Sequence, residues 1–468
     1  MKKLTVKRLI CLILVIASLL ALASCSCFRN DEKYAYDDMS KYIKLPNFRD
    51  HKFEIDEDSI KQAIGTYLMQ YASEYTVTRG DKINVDIRFY KLKDPTVDIK
   101  GDEITELFMD DVWLNNVATP LAEGGYQVSY QIENAILGAK LKAIVNKQFT
   151  MADDFFAEEY RGEKLFVDIT VNNRECQLGD VITASYKGYH IDENDKIVIE
   201  NGKEKIFDES DSSSFYIGSH LAIEDFEKGL LGMTVGVEKE IYATFPTDYE
   251  ASSDLAGKKV LFKVTIKSFF KAPTYDNEFV SKYFSAFKDT TEFEEGLRKE
   301  YLLSKIYDYI SDNAQIISYP KAEYKAAEKQ LKDIEGTWVQ NYGMTLDKYI
   351  LTTYGMTRDE YIKSNMKTEM IFYALRNEIG SSVIPSKTEI AAEKESMIKY
   401  YKDYYINNEK LTENAASTTA VEFVETLGEA YIYENVLYNK IDEVITGLVE
   451  SVSVPAERTD YVFDAQVQ

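Results

Sequence analysis

The sequence has few residues of the kinds that build metal, nucleophile or nucleotide sites. Its 468 residues include four cysteines, three histidines and two tryptophans. The histidines, at positions 51, 190 and 220, are too scattered for metal-ligand spacing. The sequence also lacks the motifs of zinc proteases, serine hydrolases and phosphate-binding loops. We therefore predict no metal and no cofactor.

Cysteine is also too scarce for a disulfide framework. Beyond residue 24 only Cys25, Cys27 and Cys176 remain, so packing rather than cross-linking must hold the fold. Proline is rare as well, with 8 residues, while 45% of the chain is hydrophobic. These values exclude a low-complexity chain, and the length is typical of two to four domains.

Positive charge is in deficit. The chain has 55 basic and 79 acidic residues, for a formal net charge of −24. So acidic a surface argues against nucleic acid, ribosomal RNA or anionic lipid as the main partner, because like charges repel.

The N-terminal segment predicts export and a lipid anchor. Basic residues at positions 2, 3, 7 and 8 precede an apolar run over 9–22 that is too short to span a bilayer comfortably. The run ends in Leu22-Ala23-Ser24-Cys25, which resembles a bacterial lipobox. It predicts a signal peptide over 1–24, acylation of Cys25 and a lipidated tether over 25–41, at the extracytoplasmic face of the cell membrane. Two or more acyl chains would anchor the protein stably. A plain signal peptide with an incidental cysteine is the alternative.

An internal repeat organises the first half of the chain. Four blocks recur in the same order at offsets between 94 and 99 residues, which predicts two tandem copies of one domain, over 77–173 and 174–270. The paired blocks begin at Gly80 and Gly179, at Ile132 and Phe226, at Phe149 and Phe245, and at Gly162 and Gly257.

The second copy reads as a small antiparallel sheet around one short helix. Residues 181–186, 238–243 and 261–266 alternate apolar and polar side chains, as strands do, and 223–231 has a short helical pattern ended by Gly232.

These residues carry a resemblance to the FKBP-type peptidyl-prolyl cis-trans isomerases. Gly179-Asp180, Phe207-Asp208 and the helix from Ile223 follow the family pattern, and the stretch from Phe245-Pro246 to Gly257 is similar to the trigger-factor version of this domain. The resemblance implies isomerase activity and a pocket made of Tyr186, Phe207, Asp208, Phe215, Ile223, Phe226, Tyr249 and Phe262.

Such a site needs neither a nucleophile nor a metal. Rotation about an Xaa-Pro bond faces a barrier of about 18–20 kcal/mol that amide resonance sets, and a dry aromatic pocket favours the twisted amide. By the resemblance, Asp208 faces the rotating carbonyl and the Ile223 N–H holds a substrate carbonyl. The sequence departs from the family at Ser213, Phe226 and Ala251. The alternative is that the aromatic residues are simply core.

The first copy is predicted to be a structural or peptide-holding domain without activity. Ile87 stands at the place of Tyr186, Met151 follows Phe149 where the second copy has a proline, and no Phe-Asp pair sits at a matching position. Before it, a strand over 42–48 and helical spacing from Ile60 to Tyr71 resemble the arm that enters the trigger-factor isomerase domain. This strand-helix arm is predicted over 42–76.

From about residue 274 the pattern is helical. This region, 271–455, resembles the trigger-factor C-terminal domain, which implies a client-binding cradle; a tail follows over 456–468. Tyrosines at 400, 401, 404 and 405 suggest ordinary packing, with client binding as the alternative. The helix boundaries are predicted by a capping box at Thr291–Glu294, by Gly343 with Thr345, by Gly355 with Thr357, and by Ser386–Glu389.

The sequence thus predicts a multidomain α+β protein with two tandem FKBP-like domains and an all-α helical domain. The expected function is that of a membrane-anchored, extracytoplasmic foldase, an isomerase and chaperone for unfolded or nascent exported polypeptides. No Gly-Phe-Arg ribosome-docking signature occurs, so no ribosome is expected as partner. A non-catalytic holdase or surface-binding lipoprotein is the alternative. A solute-binding lipoprotein is disfavoured, because no two-lobed α/β pattern is seen.

Overall fold

The computed structural model describes residues 38–94, 99–115, 127–153, 155–247, 249, 252–284, 286–407, 409–456 and 460–463. The predicted signal peptide and Cys25 lie outside these ranges. Sheets dominate the first half of the described chain and helices the second, so the protein is α+β. Of the described residues, those within 58–293, with Ala456 and 460–463, form one compact unit; those within 38–57 and 294–455 form another. Within the described ranges no helix is long and apolar enough to cross a bilayer.

The strands are numbered in chain order. They are β1 (Ile43–Lys44), β2 (Lys52–Asp56), β3 (Ser73–Glu74), β4 (Ile83–Asp94), β5 (Ile99–Leu114), β6 (Ile144–Thr150), β7 (Lys164–Arg174), β8 (Asp180–His190), β9 (Ile199–Glu200), β10 (Lys203–Glu204), β11 (Ile206–Tyr216), β12 (Glu238–Thr244), β13 (Lys259–Lys271), β14 (Gln315–Ile316) and β15 (Glu450–Val454).

The helices are numbered in the same way. They are α1 (Glu57–Gln70), α2 (Gln127–Ala135), α3 (Glu224–Leu230), α4 (Asn277–Tyr283), α5 (Thr290–Asn313), α6 (Lys321–Tyr342), α7 (Leu346–Tyr354), α8 (Arg358–Ile379), α9 (Lys387–Asn407) and α10 (Glu413–Gly447).

The two main sheets repeat one topology. The first has the strand order β5-β4-β7-β6 and the second the order β11-β8-β13-β12, with every neighbouring pair antiparallel. Along the chain, α2 lies between β5 and β6 of the first sheet, and α3 lies between β11 and β12 of the second. The internal repeat of the sequence therefore has a counterpart in strand order.

One block of the repeat is misaligned in the sequence prediction. The Met151 N–H donates to the Glu163 carbonyl just before β7 (2.9 Å), as the Phe245 N–H donates to the Lys258 carbonyl just before β13 (3.0 Å). Met151 thus occupies the position of Phe245, and matching Phe149 with Phe245 is wrong by two residues. Because side chains alternate with a period of two, this shift leaves the face unchanged and the pattern does not reveal it.

The two copies meet at a buried ionic cluster. Asp81 and Asp180, which occupy equivalent places in the repeat, each accept the backbone N–H three residues before them (2.6 and 2.7 Å). Their carboxylates lie 3.6 and 2.7 Å from Nη2 of Arg174, the last residue of β7. The guanidinium lies over the rings of Tyr75 and Phe269, at 4.3 and 4.7 Å. Each copy thus supplies one carboxylate to the same buried cation.

The predicted strand over 42–48 is much shorter in the structure. Pairing covers only β1, which runs antiparallel to β14, because Pro46 has no N–H for a ladder. The next strand, β2, pairs in parallel with β15, so the region 271–455 is not all-α as predicted but also contains the short strands β14 and β15. α1 then follows, with the predicted apolar positions Ile60, Ile64 and Leu68 buried, which confirms the helix.

The glycine–threonine pairs end and begin helices as predicted. Gly343 and Gly355, at φ +66° and +68°, end α6 and α7 in the left-handed region that favours glycine. Thr345 caps α7, and Thr357 caps α8 in a reciprocal capping box with Glu360.

The predicted capping box at Thr291–Glu294 is wrong. α5 begins at Thr290, two residues earlier than a cap at Thr291 requires, and the Asp289 carboxylate accepts the Glu292 N–H at 2.9 Å. An aspartate is as good an N-cap as a threonine, so sequence alone does not decide between them. The predicted box at Ser386–Glu389 is confirmed, with reciprocal distances of 3.2 and 2.7 Å.

Candidate active site

All eight predicted site residues line one cleft of about 820 Å³ in the second copy. The central strand β8 supplies Tyr186, the edge strand β11 supplies Phe207, Asp208 and Phe215, and β13 supplies Phe262. The other three members belong to α3 with its N-cap and to the segment after β12: Ile223, Phe226 and Tyr249.

Aromatic rings form the floor and the walls of this cleft. Phe226 and Phe262 are buried, 3% and 5% exposed, with ring centroids 4.8 Å apart and nearly perpendicular. Phe215 lies 5.1 Å from Phe226, Tyr186 lies 5.9 Å from Phe215, and Phe207 lies 5.5 Å from Phe262. These centroid distances are typical of stabilising aromatic pairs. The result is a rigid, apolar concave surface.

A carboxylate with a fixed partner stands at the rim. Asp208 is exposed, and the Tyr186 hydroxyl donates to its Oδ2 at 2.8 Å. Burial of the ring, and then the bond to Asp208, raises the pKa of Tyr186 to about 12. The phenol therefore stays protonated at physiological pH and keeps donating. Burial and the nearby Asp208 charge also raise the pKa of Tyr249.

The loop before α3 is fixed by hydrogen bonds to a buried carboxylate. Glu227 is 6% exposed and accepts the N–H groups of Gly218 and Ala222 at 3.0 and 3.2 Å. Burial raises the pKa of this carboxyl, and the two N–H groups oppose the rise. The next N–H, that of Ile223, donates to no acceptor among the described residues. It remains available to a carbonyl in the cleft.

Two glycines leave room for these elements. A Cβ at Gly188 on β8 would lie 2.5 Å from Cζ of Phe207, and a Cβ at Gly229 on α3 would overlap the Ile241 side chain. Neither position accepts a side chain without displacing a wall of the cleft or the helix itself.

The sequence prediction missed several lining residues. Phe245 and Leu255 are buried (6% and 9% exposed) and line the cleft with Pro246. All three lie in the stretch from Phe245-Pro246 to Gly257 that is similar to the trigger-factor version of the domain, so the sequence held a signal for them. Gln62 and His220 also line it, and no local pattern marks either residue, because tertiary packing brings them there.

The arrangement suits binding rather than bond cleavage. It combines an aromatic cavity, three exposed carboxylates at its edge (Asp208, Glu224 and Asp225) and one available backbone N–H. Among the described residues, no group of three or more His, Cys, Asp or Glu side chains is placed to hold a metal. The single described cysteine, Cys176, is buried and free, and burial raises the pKa of its thiol.

Comparison with known proteins agrees with this geometry. Residues 172–267 match the family model described as FKBP-type peptidyl-prolyl cis-trans isomerase. The chain as a whole is similar to trigger factors. It is 26% identical over 436 residues to the trigger factor of Caldicellulosiruptor saccharolyticus, covering 87% of this chain and 91% of that protein.

Two further trigger factors match over shorter regions. That of Lachnoclostridium phytofermentans is 30% identical over 40% of this chain, and that of Caldicellulosiruptor bescii is 31% identical over 56%. The chain spans 43% and 61% of their respective lengths. A solved trigger factor chaperone shares 14% identity and covers 60% of this chain and 76% of its own, at a TM-score of 0.19.

Proposed function

We propose that this protein is a membrane-anchored, extracytoplasmic foldase that combines prolyl isomerisation with chaperone activity. One observation carries the isomerase part of the proposal. The eight residues that the family resemblance assigns to a pocket line a single aromatic cleft, inside the segment that matches the FKBP-type family model.

The cleft accelerates rotation by favouring the twisted amide over the planar one. Amide resonance separates charge and is lost on twisting, so an apolar wall of Phe226 and Phe262 disfavours the planar ground state relative to the twisted one. The Ile223 N–H holds a substrate carbonyl. Asp208, oriented by the Tyr186 hydroxyl at 2.8 Å, faces the carbonyl that rotates. No covalent step is involved.

The isomerase proposal is tested by Asp208→Asn. This change keeps the volume and an oxygen acceptor for Tyr186 while removing the charge. We expect a several-fold lower catalysed rate on an Xaa-Pro peptide with an unchanged Tm. Glu209→Gln, the next and likewise exposed carboxylate on β11, is the matched control and should retain the full rate. Wild-type rates no faster than the uncatalysed reaction would leave the holdase alternative.

The chaperone part rests on similarity to trigger factors along most of the chain. Its partners would be unfolded or nascent exported polypeptides, with neither ribosome nor nucleic acid involved. On α9, Tyr400 and Tyr404 are 62% and 42% exposed, whereas the ring of Tyr401 packs 4.5 Å from Phe423. The two exposed tyrosines are therefore candidates for client contact.

This part is tested separately from catalysis. The full chain carrying Asp208→Asn should slow the aggregation of an unfolded protein as well as the wild type does, because client holding does not require the cleft. Tyr400→Ser with Tyr404→Ser should weaken that protection and leave isomerisation intact. Equal loss of both activities in Asp208→Asn would contradict a separate client surface.

The anchor is proposed from the lipobox. Cys25→Ala should remain in the aqueous phase of a detergent partition or stay unprocessed, while Cys27→Ala, two residues away, should partition like the wild type. Unchanged detergent partitioning of Cys25→Ala would exclude acylation at this residue.

A further inference from the structure

The last described residues, Asp460–Phe463, are packed into the sheet unit instead of trailing from it. Tyr461 and Phe463 are 2% and 0% exposed. The Tyr461 hydroxyl donates to Oδ1 of Asp58 at the start of α1, at 2.7 Å. The Phe463 ring stacks on Tyr216 at the end of β11, with centroids 6.3 Å apart and planes 28° apart. Two aromatic side chains thus fix this segment to both α1 and β11.

The backbone of the same segment follows the turn after β11. The Val462 N–H donates to the Gly218 carbonyl at 3.0 Å. A Cβ at Gly218 would lie 3.1 Å from the Cβ of Val462, and Gly218 has φ +87°. The turn therefore lies directly against the C-terminal segment, with no room for a side chain between them.

The segment also holds His220, which lines the cleft. Its Nε2 lies 3.0 Å from the Asp460 carboxylate, and its ring meets Tyr461 edge-on at 4.9 Å. His220 has φ +56°, an unfavourable conformation for a residue other than glycine. Such a conformation persists where its surroundings fix it. Here they do so from two sides, since Gln62 of α1 donates to the His220 carbonyl at 3.4 Å.

We propose that Asp460–Phe463 is an intramolecular strap that positions the His220–Ile223 rim of the isomerase cleft. None of the strap residues lines the cleft, so they are positioning residues that act through His220 and Gly218. The proposal rests on the proposed isomerase function, because it assigns the strap a role in that reaction. The sequence resemblance places no such element in the C-terminal tail.

The strap is expected to govern substrate binding more than turnover. The segment His220–Ile223 carries the Ile223 N–H that would hold a substrate carbonyl, whereas Tyr186, Asp208 and Phe262 lie on strands of the sheet. Loosening the rim should therefore raise KM several-fold and change kcat less than twofold. A change that only destabilises the domain would instead lower the active fraction, and thus kcat, at constant KM.

The test compares two truncations of the full chain. One ends after residue 459 and removes the strap; the matched control ends after residue 463 and keeps it. Hydrogen exchange should become at least tenfold faster at the amides of Gly218, Ser219 and Ala222 in the first truncation only. The first should also show the raised KM. Unchanged exchange and unchanged KM without the strap would overturn the proposal, as would a fall in kcat alone.

If the shorter truncation fails to fold, point variants test whether the strap positions the His220–Ile223 rim. Tyr461→Ala should reproduce the faster exchange and higher KM, whereas Tyr461→Phe, which keeps the ring against His220, should restore both to within twofold of wild type. Equal behaviour of the two variants would overturn the role given to the ring. If wild-type protein shows no isomerase activity, the proposed function fails, while the exchange measurement still decides whether the strap fixes the turn.

Discussion

The two copies of the repeat share a strand order but differ in the size of the residue at one position of the central strand. Phe89 on β4 pairs with Val167 of β7, and Gly188 on β8 pairs with Phe262 of β13, so the two residues hold equivalent places. Phe89 is fully buried and its ring lies 5.7 Å from that of Phe155. In the second copy the glycine leaves that space to Phe207, from the neighbouring strand.

The difference shows how a cleft arises on an unchanged scaffold. In the first copy the central strand fills its own sheet face with a phenylalanine ring. In the second, a glycine admits the wall residue Phe207 from β11, and Tyr186 replaces Ile87 two residues earlier. The open cleft thus depends on a side chain that is missing from the central strand as much as on the aromatic residues that line it.

The largest effect is expected when the second copy receives the residue of the first. Gly188→Phe would place a ring where even a Cβ lies 2.5 Å from Phe207, so the wall of the cleft must move. We expect at least a 100-fold loss of catalysed isomerisation. Lys187→Phe adds the same ring at the adjacent, exposed position of β8 and should keep most of the activity. Full activity in folded Gly188→Phe would show that the cleft is not the site.

The next effect concerns the cluster to which both copies contribute. Arg174→Met would leave the Asp81 and Asp180 carboxylates buried without their cation, which typically costs about 3–5 kcal/mol. Urea unfolding should show this loss. Lys82→Met, which removes the half-exposed partner of Glu175, should cost about 1 kcal/mol or less. A loss for Arg174→Met no larger than that of the control would mean that the cluster does not join the copies.

Asp180 should make the stability of this cluster depend on pH. Burial, opposed by Arg174, raises the pKa of Asp180 to about 6, whereas an unfolded aspartate has a pKa of about 3.9. Because the folded pKa is the higher one, the stability from protonated Asp180 is fully present below about pH 4 and is lost as pH rises to about 6. The loss is about 3 kcal/mol.

Unfolding free energies measured against pH test this prediction. Relative to Asp180→Asn, the wild type should lose stability between pH 4 and 6. A wild-type stability that instead rises with pH relative to Asp180→Asn would show that pairing with Arg174 outweighs burial.

The smallest effect is expected when Phe226, the α3 residue in the floor of the cleft, is replaced by the equivalent residue of the first copy. Phe226→Ile installs the residue that the first copy has at Ile132. It removes ring contacts with Phe262 and Phe215 but keeps an apolar side chain, so about 1–2 kcal/mol of stability should be lost, with a several-fold slower reaction. Leu230→Ile, fully buried on the same helix but not lining the cleft, should cost about 1 kcal/mol at an unchanged rate.

The eight cleft residues were predicted through the resemblance to FKBP-type isomerases, and local sequence patterns predicted the elements that carry several of them. Tyr186 and Phe262 lie on strands in which apolar and polar residues alternate, and Phe226 lies on a short helix that ends at Gly232. The local sequence pattern therefore predicts the strand or helix that carries each of these residues. The repeated blocks added the limits of the two copies.

The features that the sequence did not predict depend on tertiary contacts, or on a choice between two alignments or two capping residues that fit the sequence pattern equally well. The packing of Tyr461 and Phe463 requires α1 and β11 to be in place, and the short apolar run Tyr461-Val462-Phe463 does not indicate by itself which surface it contacts. The match of Phe149 with Phe245 failed because a two-residue shift preserves the apolar face. The start of α5 failed because Asp289 caps as well as Thr291.

The central claim, that the second copy is a working isomerase cleft, is tested most directly by cis–trans exchange of short Xaa-Pro peptides with the full chain. Uncatalysed exchange takes tens to hundreds of seconds, so catalysis is readily measured with several residues before proline. We predict faster exchange with the wild type and with Phe89→Leu, and background exchange with Gly188→Phe. Background rates for every peptide with folded wild-type protein would contradict the claim.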